Sequence, residues 1–371
     1  MSIITSERNY TIDFLRAIAV FLVLFNHLHI RYDTDVMTLV LYKLKTGGWV
    51  GVDLFFVLSG FLVSGLIFKE YEVQKSFDPK TFLIRRGLKI YPLFYCLILF
   101  TALILLPKLG DLKSAFLSEI FFVSNYVERL YGHTWSLCIE EHFYLLLAII
   151  MYYLTKKNAL SLGVILGIYL FFVITCVSLR YYAWVNNNEV YDFYKQYARS
   201  HLRFDSLFFG VLISYLFFYH KEYFDPVLNY KILFGSVSAT FILLHFVFER
   251  AQYHFISVAS LSLNPIFFGV ILVLLLSFRN NIYNRAIYPF AVIGRYSYSI
   301  YLFHEPVNEF MHAYFFKQYC ILYYVSYFAL SVFVGVLLGK IIEYPFLRFR
   351  DRVFPSKSSF SPPVRTGISV A

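Results

Sequence analysis

The chain has 371 residues, of which 59% are hydrophobic, 21% aromatic and 15% charged. An ordinary soluble domain carries about 25% charged residues, and a water-soluble fold of this length could not hide so much apolar surface. The formal net charge of +10 sits mostly between apolar runs, where cations set membrane topology, so composition argues against a soluble or nucleic-acid-binding protein and implies an all-α, polytopic transmembrane helix bundle in a lipid bilayer.

A helix needs about 20 mostly apolar residues to cross a bilayer. Such runs fall at 11–30, 50–69, 88–106, 136–154, 159–179, 203–219, 230–249, 254–277, 290–312 and 321–343, about ten spans. The first carries Asp13 and Arg16 and lacks a small-x-small ending, so it reads as a retained span and not a cleaved signal. In the run at 254–277, Asn264-Pro265 predicts a kink or break. Cys96, Cys138, Cys176 and Cys320 show no paired or metal-ligand spacing and read as core or lipid-facing residues, with no metal expected. No internal repeat is visible. One membrane domain over 1–345 is expected, followed by a short basic tail over 346–371, rich in Ser and Pro near its end and expected to be mobile. With the N-terminus in the cytoplasm, the cytoplasmic segments hold the larger share of Lys and Arg, so the positive-inside preference puts both termini inside.

Ionisable residues are costly in hydrocarbon and tend to face a bundle interior or a wet cavity. Arg16 and His27 lie eleven positions apart in the first span. That is three helical turns, which puts them on nearly one face and about 16 Å apart along the axis. Asp53 opens the second span and Glu140 the fourth, both from the same outer side as His27; Tyr144 follows Glu140 by one turn. One His and two carboxylates at a common depth suit general-base work, although Asp53 and Glu140 also fit as interfacial polar groups. Toward the cytoplasm, Arg85, Arg86 and Lys89 enter the third span, and Arg295 begins the ninth. With Arg16 they form a basic mouth suited to phosphates; juxtamembrane cations also set topology and touch anionic lipid. Ser297, Tyr298, His304 and Glu305 occupy the ninth span, where Pro306 loosens the helix. Glu343 ends the last span within reach of Arg16 or Arg85.

These residues carry a resemblance. Arg16 and His27 form an Arg-x10-His motif. Gly51-Val52-Asp53-Leu54-Phe55-Phe56-Val57-Leu58-Ser59-Gly60 follows, then Arg85-Arg86 ahead of Tyr91-Pro92. Trp135-Ser136-Leu137 leads to Glu140-Glu141 and Phe143-Tyr144, and Ser297-Tyr298-Ser299-Ile300-Tyr301-Leu302 precedes His304, with Glu343 and Pro345 last. In this order, over nearly the whole chain, the set resembles the acyltransferase 3 family of membrane O-acyltransferases. Lys89 stands where the family often has a further Arg, which weakens bidentate phosphate binding there, and Asn26 precedes His27 without an evident role. Unlike fused members of the family, the sequence shows no second, hydrolase-like domain.

The resemblance implies acyl transfer, most often of acetyl from cytoplasmic acetyl-CoA, to a hydroxyl of an extracytoplasmic carbohydrate or glycolipid, in a bacterial cytoplasmic membrane. It implies that Arg16, Arg85 and Arg86, with Lys89, hold the CoA end. His27 is then the catalytic base or acyl carrier, with Asp53 or Glu140 orienting it. Trp135, Tyr144, Ser297, Tyr298, His304 and Glu305 would line the substrate cavity. The competing reading is a proton-coupled transporter of an anionic or sugar-linked substrate, which uses the same intramembrane residue types but more often shows internal repeats.

Overall fold

Backbone in hydrocarbon must satisfy its own N–H and C=O groups, and helix does so within one segment. The computed structural model describes residues 9–30, 36–105, 110, 112–188, 190–249, 253–278, 281–315 and 320–356, and no strand occurs among them. The helices are α1 (Tyr10–Asn26), α2 (Val36–Gly47), α3 (Val50–Gln74), α4 (Pro79–Ile104), α5 (Lys113–Ile120), α6 (Trp135–Lys156), α7 (Leu162–Asn186), α8 (Phe193–Gln196), α9 (Phe204–Tyr219), α10 (Asp225–Asn229), α11 (Lys231–Leu244), α12 (His254–Val258), α13 (Ser260–Ser277), α14 (Asn281–Gly294), α15 (Ser297–Phe315), α16 (Cys320–Leu338) and α17 (Tyr344–Val353). A π turn, Gly339–Glu343, joins α16 to α17.

Short polar residues set several boundaries. Asn9 Oδ1 accepts from the backbone N–H of Thr11 at 3.0 Å and caps α1. Asp78 Oδ1 does the same for Lys80 at 3.1 Å, with Pro79 as the first residue of α4. Lys75, left-handed at φ 53°, ends α3.

Among the described residues, six helices are long and apolar enough to cross a bilayer, or seven if the pair bent by 87° between Lys221–Asn229 and Lys231–Leu244 counts as one. The sequence reading expects about ten. The difference lies in short or polar segments. α1 and α9 have 17 and 16 residues, and α15 carries His304, Glu305 and Glu309. The expected ninth span divides at Arg295-Tyr296 into α14 and α15. The expected break at Asn264-Pro265 falls instead at Ala259, and Pro265 lies inside α13. The first part of the tail expected to be mobile is helical, since α17 extends to Val353; residues 357–371 lie outside the described residues. Among the cysteines, Cys96, Cys138 and Cys176 are free, and the Cys320 side chain lies outside the described ones.

α3 is the most enclosed of the long helices, with 78% of its apolar window buried, against 17% for α7 at the rim. α3 and α9 cross closely because both are glycine at the contact. A Cβ on Gly60 would fall 2.1 Å from Leu207 O, and one on Gly210 2.4 Å from Val57 O. Two buried ion pairs lock the layer behind them. Arg203 pairs with Asp53, both fully buried, and Asn264 Nδ2 donates to Asp53 Oδ2 at 2.7 Å. Arg180 donates to Asp205 Oδ2 at 2.8 Å, which also accepts from Ser262 Oγ at 2.5 Å. These contacts tie α3, α7, the start of α9 and α13 together. Paired and hydrogen-bonded charges survive in such a place, whereas single ones do not.

Candidate active site

Three cavities line up through the bundle. The first, about 1370 Å³, is lined by Arg16, Arg86, Lys89, Arg295, Glu343 and Arg350 among others. The second, about 800 Å³, shares Arg16, Arg86 and Lys89 with it and adds Ser59, Glu140, Tyr144, Ser297 and Tyr298. The third, about 770 Å³, holds His27, Asn26, Lys45, Trp49, Trp135 and Tyr197. Val52 and Tyr301 border both the second and the third. The walls thus run from a basic end, past a hydroxyl-rich middle, to a histidine set among aromatic rings.

His27 is the C-cap of α1, at the point where the chain leaves the helix. Its carbonyl accepts from Asn308 Nδ2 at 2.5 Å, and Tyr323 OH donates to Asn308 Oδ1 at 2.6 Å. The turn is therefore pinned from α15 and α16. Nδ1 of His27 lies 3.9 Å from Glu305 Oε1. The other oxygen of Glu305 meets Nδ1 of His133 and accepts from the His133 backbone N–H at 3.3 Å. Nε2 of His133 lies 3.1 Å from Leu302 O. A carbonyl only accepts, so this nitrogen carries a proton. The ring of His304 lies 4.8 Å from that of His27 and 4.9 Å from that of His133, with its Nδ1 on Tyr301 O. Among the described residues, no group of three or more His, Cys, Asp or Glu is arranged to hold a metal ion.

The loop that presents His133 is built around Glu119. This fully buried carboxylate accepts from Thr134 Oγ1 at 2.8 Å, Leu130 N at 3.2 Å and Ser124 Oγ at 3.1 Å. Burial pushes the Glu119 carboxyl above its ordinary range, and the hydrogen bonds oppose the shift. Tyr301 OH donates to His133 O at 2.7 Å and lies 2.6 Å from Ser136 Oγ, joining the loop and α6 to α15. On the opposite wall Lys45 Nζ donates to Leu28 O at 2.8 Å, and burial pushes its ammonium below the ordinary range. Asn26, without an evident role in the sequence, donates to Lys45 O at 2.9 Å; it fastens the end of α1 to α2.

Several expected site residues converge, and others do not. Arg16, Arg86 and Lys89 line the basic cavity together. Tyr144, Ser297 and Tyr298 line the middle one; Trp135 lines the third. Asp53 does not orient His27: its carboxylate is taken by Arg203 and Asn264. Glu140 accepts from Tyr144 OH at 2.6 Å and faces the middle cavity with the cations. The carboxylate beside His27 is Glu305, which sequence reading placed only in the cavity wall. Arg85 turns away from the basic cavity to Asp351, at 3.0 Å, and to the carbonyl of Phe354. Asp13, a turn from Arg16, has Arg295 Nε at 3.7 Å. His133 was not singled out from sequence. Its signal was its place two residues before Trp135-Ser136-Leu137, which a depth map restricted to the spans passes over.

The family model described as "Acyltransferase domain" matches residues 9–340. "Putative O-acetyltransferase SAR0937" of Staphylococcus aureus (strain MRSA252) is 29% identical over 377 residues, covering 95% of this chain and 59% of that protein. "O-acetyltransferase OatA" of the same strain is 25% identical over 388 residues, covering 94% and 59%. The chain spans about three fifths of the length of these relatives. No solved structure matches it. The family match runs from the cap of α1 into the π turn after α16 and takes in the second and third cavities and all of the first but its Glu343, Leu347 and Arg350 wall: the chain belongs to the acyltransferase 3 family of integral membrane proteins.

Proposed function

We propose that this protein is a membrane O-acyltransferase that moves an acyl group, most simply acetyl, from acyl-CoA at the basic end to a hydroxyl of a glycan or glycolipid at the histidine end. The observation that carries the reading is the shared lining of the three cavities. Arg16, Arg86 and Lys89 belong to the first and second, and Val52 and Tyr301 to the second and third. A donor with anionic phosphates on one end and a thioester on a long arm fits such a path. Cations suit the phosphates, and the hydroxyl-bearing middle suits the amides of the arm. The names of the relatives, O-acetyltransferases, point to acetyl.

His27 then acts as general base. Glu305, 3.9 Å from Nδ1, favours the tautomer with the proton on that nitrogen, which leaves Nε2 to take a proton from the acceptor hydroxyl. The hydroxyl oxygen attacks the thioester carbonyl, and the tetrahedral intermediate expels the CoA thiolate. The imidazolium, stabilised by Glu305, returns its proton to that sulfur. The products are an ester and free CoA. The aromatic rings of Trp49, Trp135 and Tyr197 give the third cavity walls on which a sugar ring can lie. The positive-inside preference assigns the basic end to the cytoplasm and the histidine end to the outside of a bacterial cytoplasmic membrane.

The test is transfer of labelled acetyl from acetyl-CoA to surface glycan, in membranes with and without this chain. Label in glycan only when the chain is present supports the reading. Equal label sinks it, and uptake of a substrate without acylation would favour a transporter.

A further inference from the structure

The path explains Arg16, Arg86 and Lys89, but not why a helix beyond the family match adds residues to the cavity they line. The match ends at residue 340, and α17 follows it. α17 carries Arg348, Arg350 and Arg352. Of these, Arg350 lines the basic cavity together with Arg16, Arg86 and Lys89, and Leu347 lines it one turn earlier. The Arg350 side chain is only 15% exposed. Its Nε and one terminal nitrogen lie on the two oxygens of Asp351, at 2.9 and 3.0 Å.

Asp351 is shared by two arginines. Its Oδ1 also accepts from Arg85 of α4 at 3.0 Å, and Arg85 reaches the carbonyl of Phe354 at the end of α17. Arg85 thus grips α17 at both a side chain and the backbone, on the side away from the basic cavity. Asp351 itself is 54% exposed. A carboxylate so placed can hold two guanidinium groups and still yield one face of Arg350 to a stronger anion.

We infer that α17 is a strap over the donor mouth, clamped by Arg85 through Asp351, and that Arg350 is a further ligand for a phosphate at the nucleotide end of the acyl-CoA. This rests on the acyl-CoA reading above. It also separates the roles of two adjacent arginines: Arg86 faces the ligand, and Arg85 acts on it only through α17. The ligand chemistry, a phosphate oxyanion beside a planar fork, is shared with an anionic lipid headgroup, so the test must tell the two apart.

The experiment is calorimetric binding of CoA to the full chain in nanodiscs of phosphatidylcholine alone and of phosphatidylcholine with phosphatidylglycerol. The variants are Arg350→Gln, Arg350→Lys, Arg85→Gln and the pair Arg85→Gln/Arg350→Gln. Loss of a charge-assisted hydrogen bond predicts affinity about tenfold weaker for Arg350→Gln in both lipid compositions, with partial retention in Arg350→Lys. Because Arg85 acts through Arg350, the pair is expected to be no weaker than Arg350→Gln alone. Wild-type binding with unchanged affinity in Arg350→Gln overturns the assignment and leaves the acyl-CoA reading standing. A change seen only as altered dependence on phosphatidylglycerol assigns Arg350 to lipid and also overturns it. No CoA binding by the wild type overturns both. Should Arg350→Gln fail to fold, Arg350→Lys, which keeps the charge and loses the fork, decides: undiminished affinity there rejects a bidentate phosphate ligand.

Discussion

Glu305 sits between His27 and His133, with one oxygen 3.9 Å from Nδ1 of the first and the other on Nδ1 of the second. One carboxylate therefore lies beside a helix-end histidine and a loop histidine at once. His27→Ala should abolish acyl transfer, and Glu305→Gln should lower the turnover rate by about a hundredfold or more, the scale of losing an effective general base. Both variants should still elute as folded protein in detergent. Full activity in His27→Ala would mean that the reacting group lies elsewhere.

The neck between the middle and third cavities offers a separate test of the path. Val52 lines both and is nearly buried. Val52→Trp should leave CoA binding at the basic end close to wild type while acyl transfer falls sharply, because the thioester could no longer reach His27. Calorimetry for binding and a transfer assay for turnover, run on one preparation, check both halves. Transfer that survives intact would show that the acyl group takes another route.

Asp53 gives a prediction about stability instead of chemistry. Removing one partner of a buried ion pair leaves an uncompensated charge, at a cost of about 3–5 kcal/mol, whereas replacing both with apolar groups of similar volume is often near neutral. Asp53→Asn should lower the midpoint of thermal unfolding markedly, and Asp53→Leu/Arg203→Met should recover most of it. If the double variant is stable yet has lost transfer, Asp53 does more than brace α3 against α9.

Glu119 holds the loop that carries His133. Glu119→Ala strands Thr134 Oγ1, Leu130 N and Ser124 Oγ, each worth about 1 kcal/mol as a hydrogen bond, and should lower both stability and turnover. Glu119→Gln keeps an acceptor in place and should retain most of both. The sign with pH follows from the raised folded-state value. The stabilising contribution of the carboxyl is fully present below its ordinary value of 4.5 and is lost as pH rises through the raised one. Glu119→Gln cannot ionise, so its stability should fall less across that rise than the wild type's. Parallel stability–pH curves would remove this account of the loop.

Much of the site could be read before the fold was known, though not its pairings. Arg16, Arg86 and Lys89 were legible as one basic group because the 3.6-residue period and the cation-rich loops placed them at one end of their helices. His27 was legible because it shares a face with Arg16 at three turns. Its carboxylate partner was not. Asp53 matched His27 in depth along the membrane normal, but depth says nothing about rotation around the bundle, and Asp53 turns toward α9 and α13. Glu305 comes from a helix whose start at Ser297 was obscured by the break at Arg295-Tyr296. His133 sits in a loop, where periodicity gives no placement at all.

The sequence by itself determined that this chain is a helical membrane protein, since its apolar content leaves no other solvent for it, and its ordered motifs determined the family. Only the tertiary structure decided which carboxylate lies beside His27, that Arg85 faces α17 and not the basic cavity, and that α17 contributes Leu347 and Arg350 to that cavity's wall. The physical reason is the same in each case. Helical period and hydropathy fix a residue's depth and face on its own helix, while ion pairs depend on how helices far apart in sequence are rotated against one another. That rotation is set by packing such as the Gly60–Gly210 crossing, which no local pattern encodes.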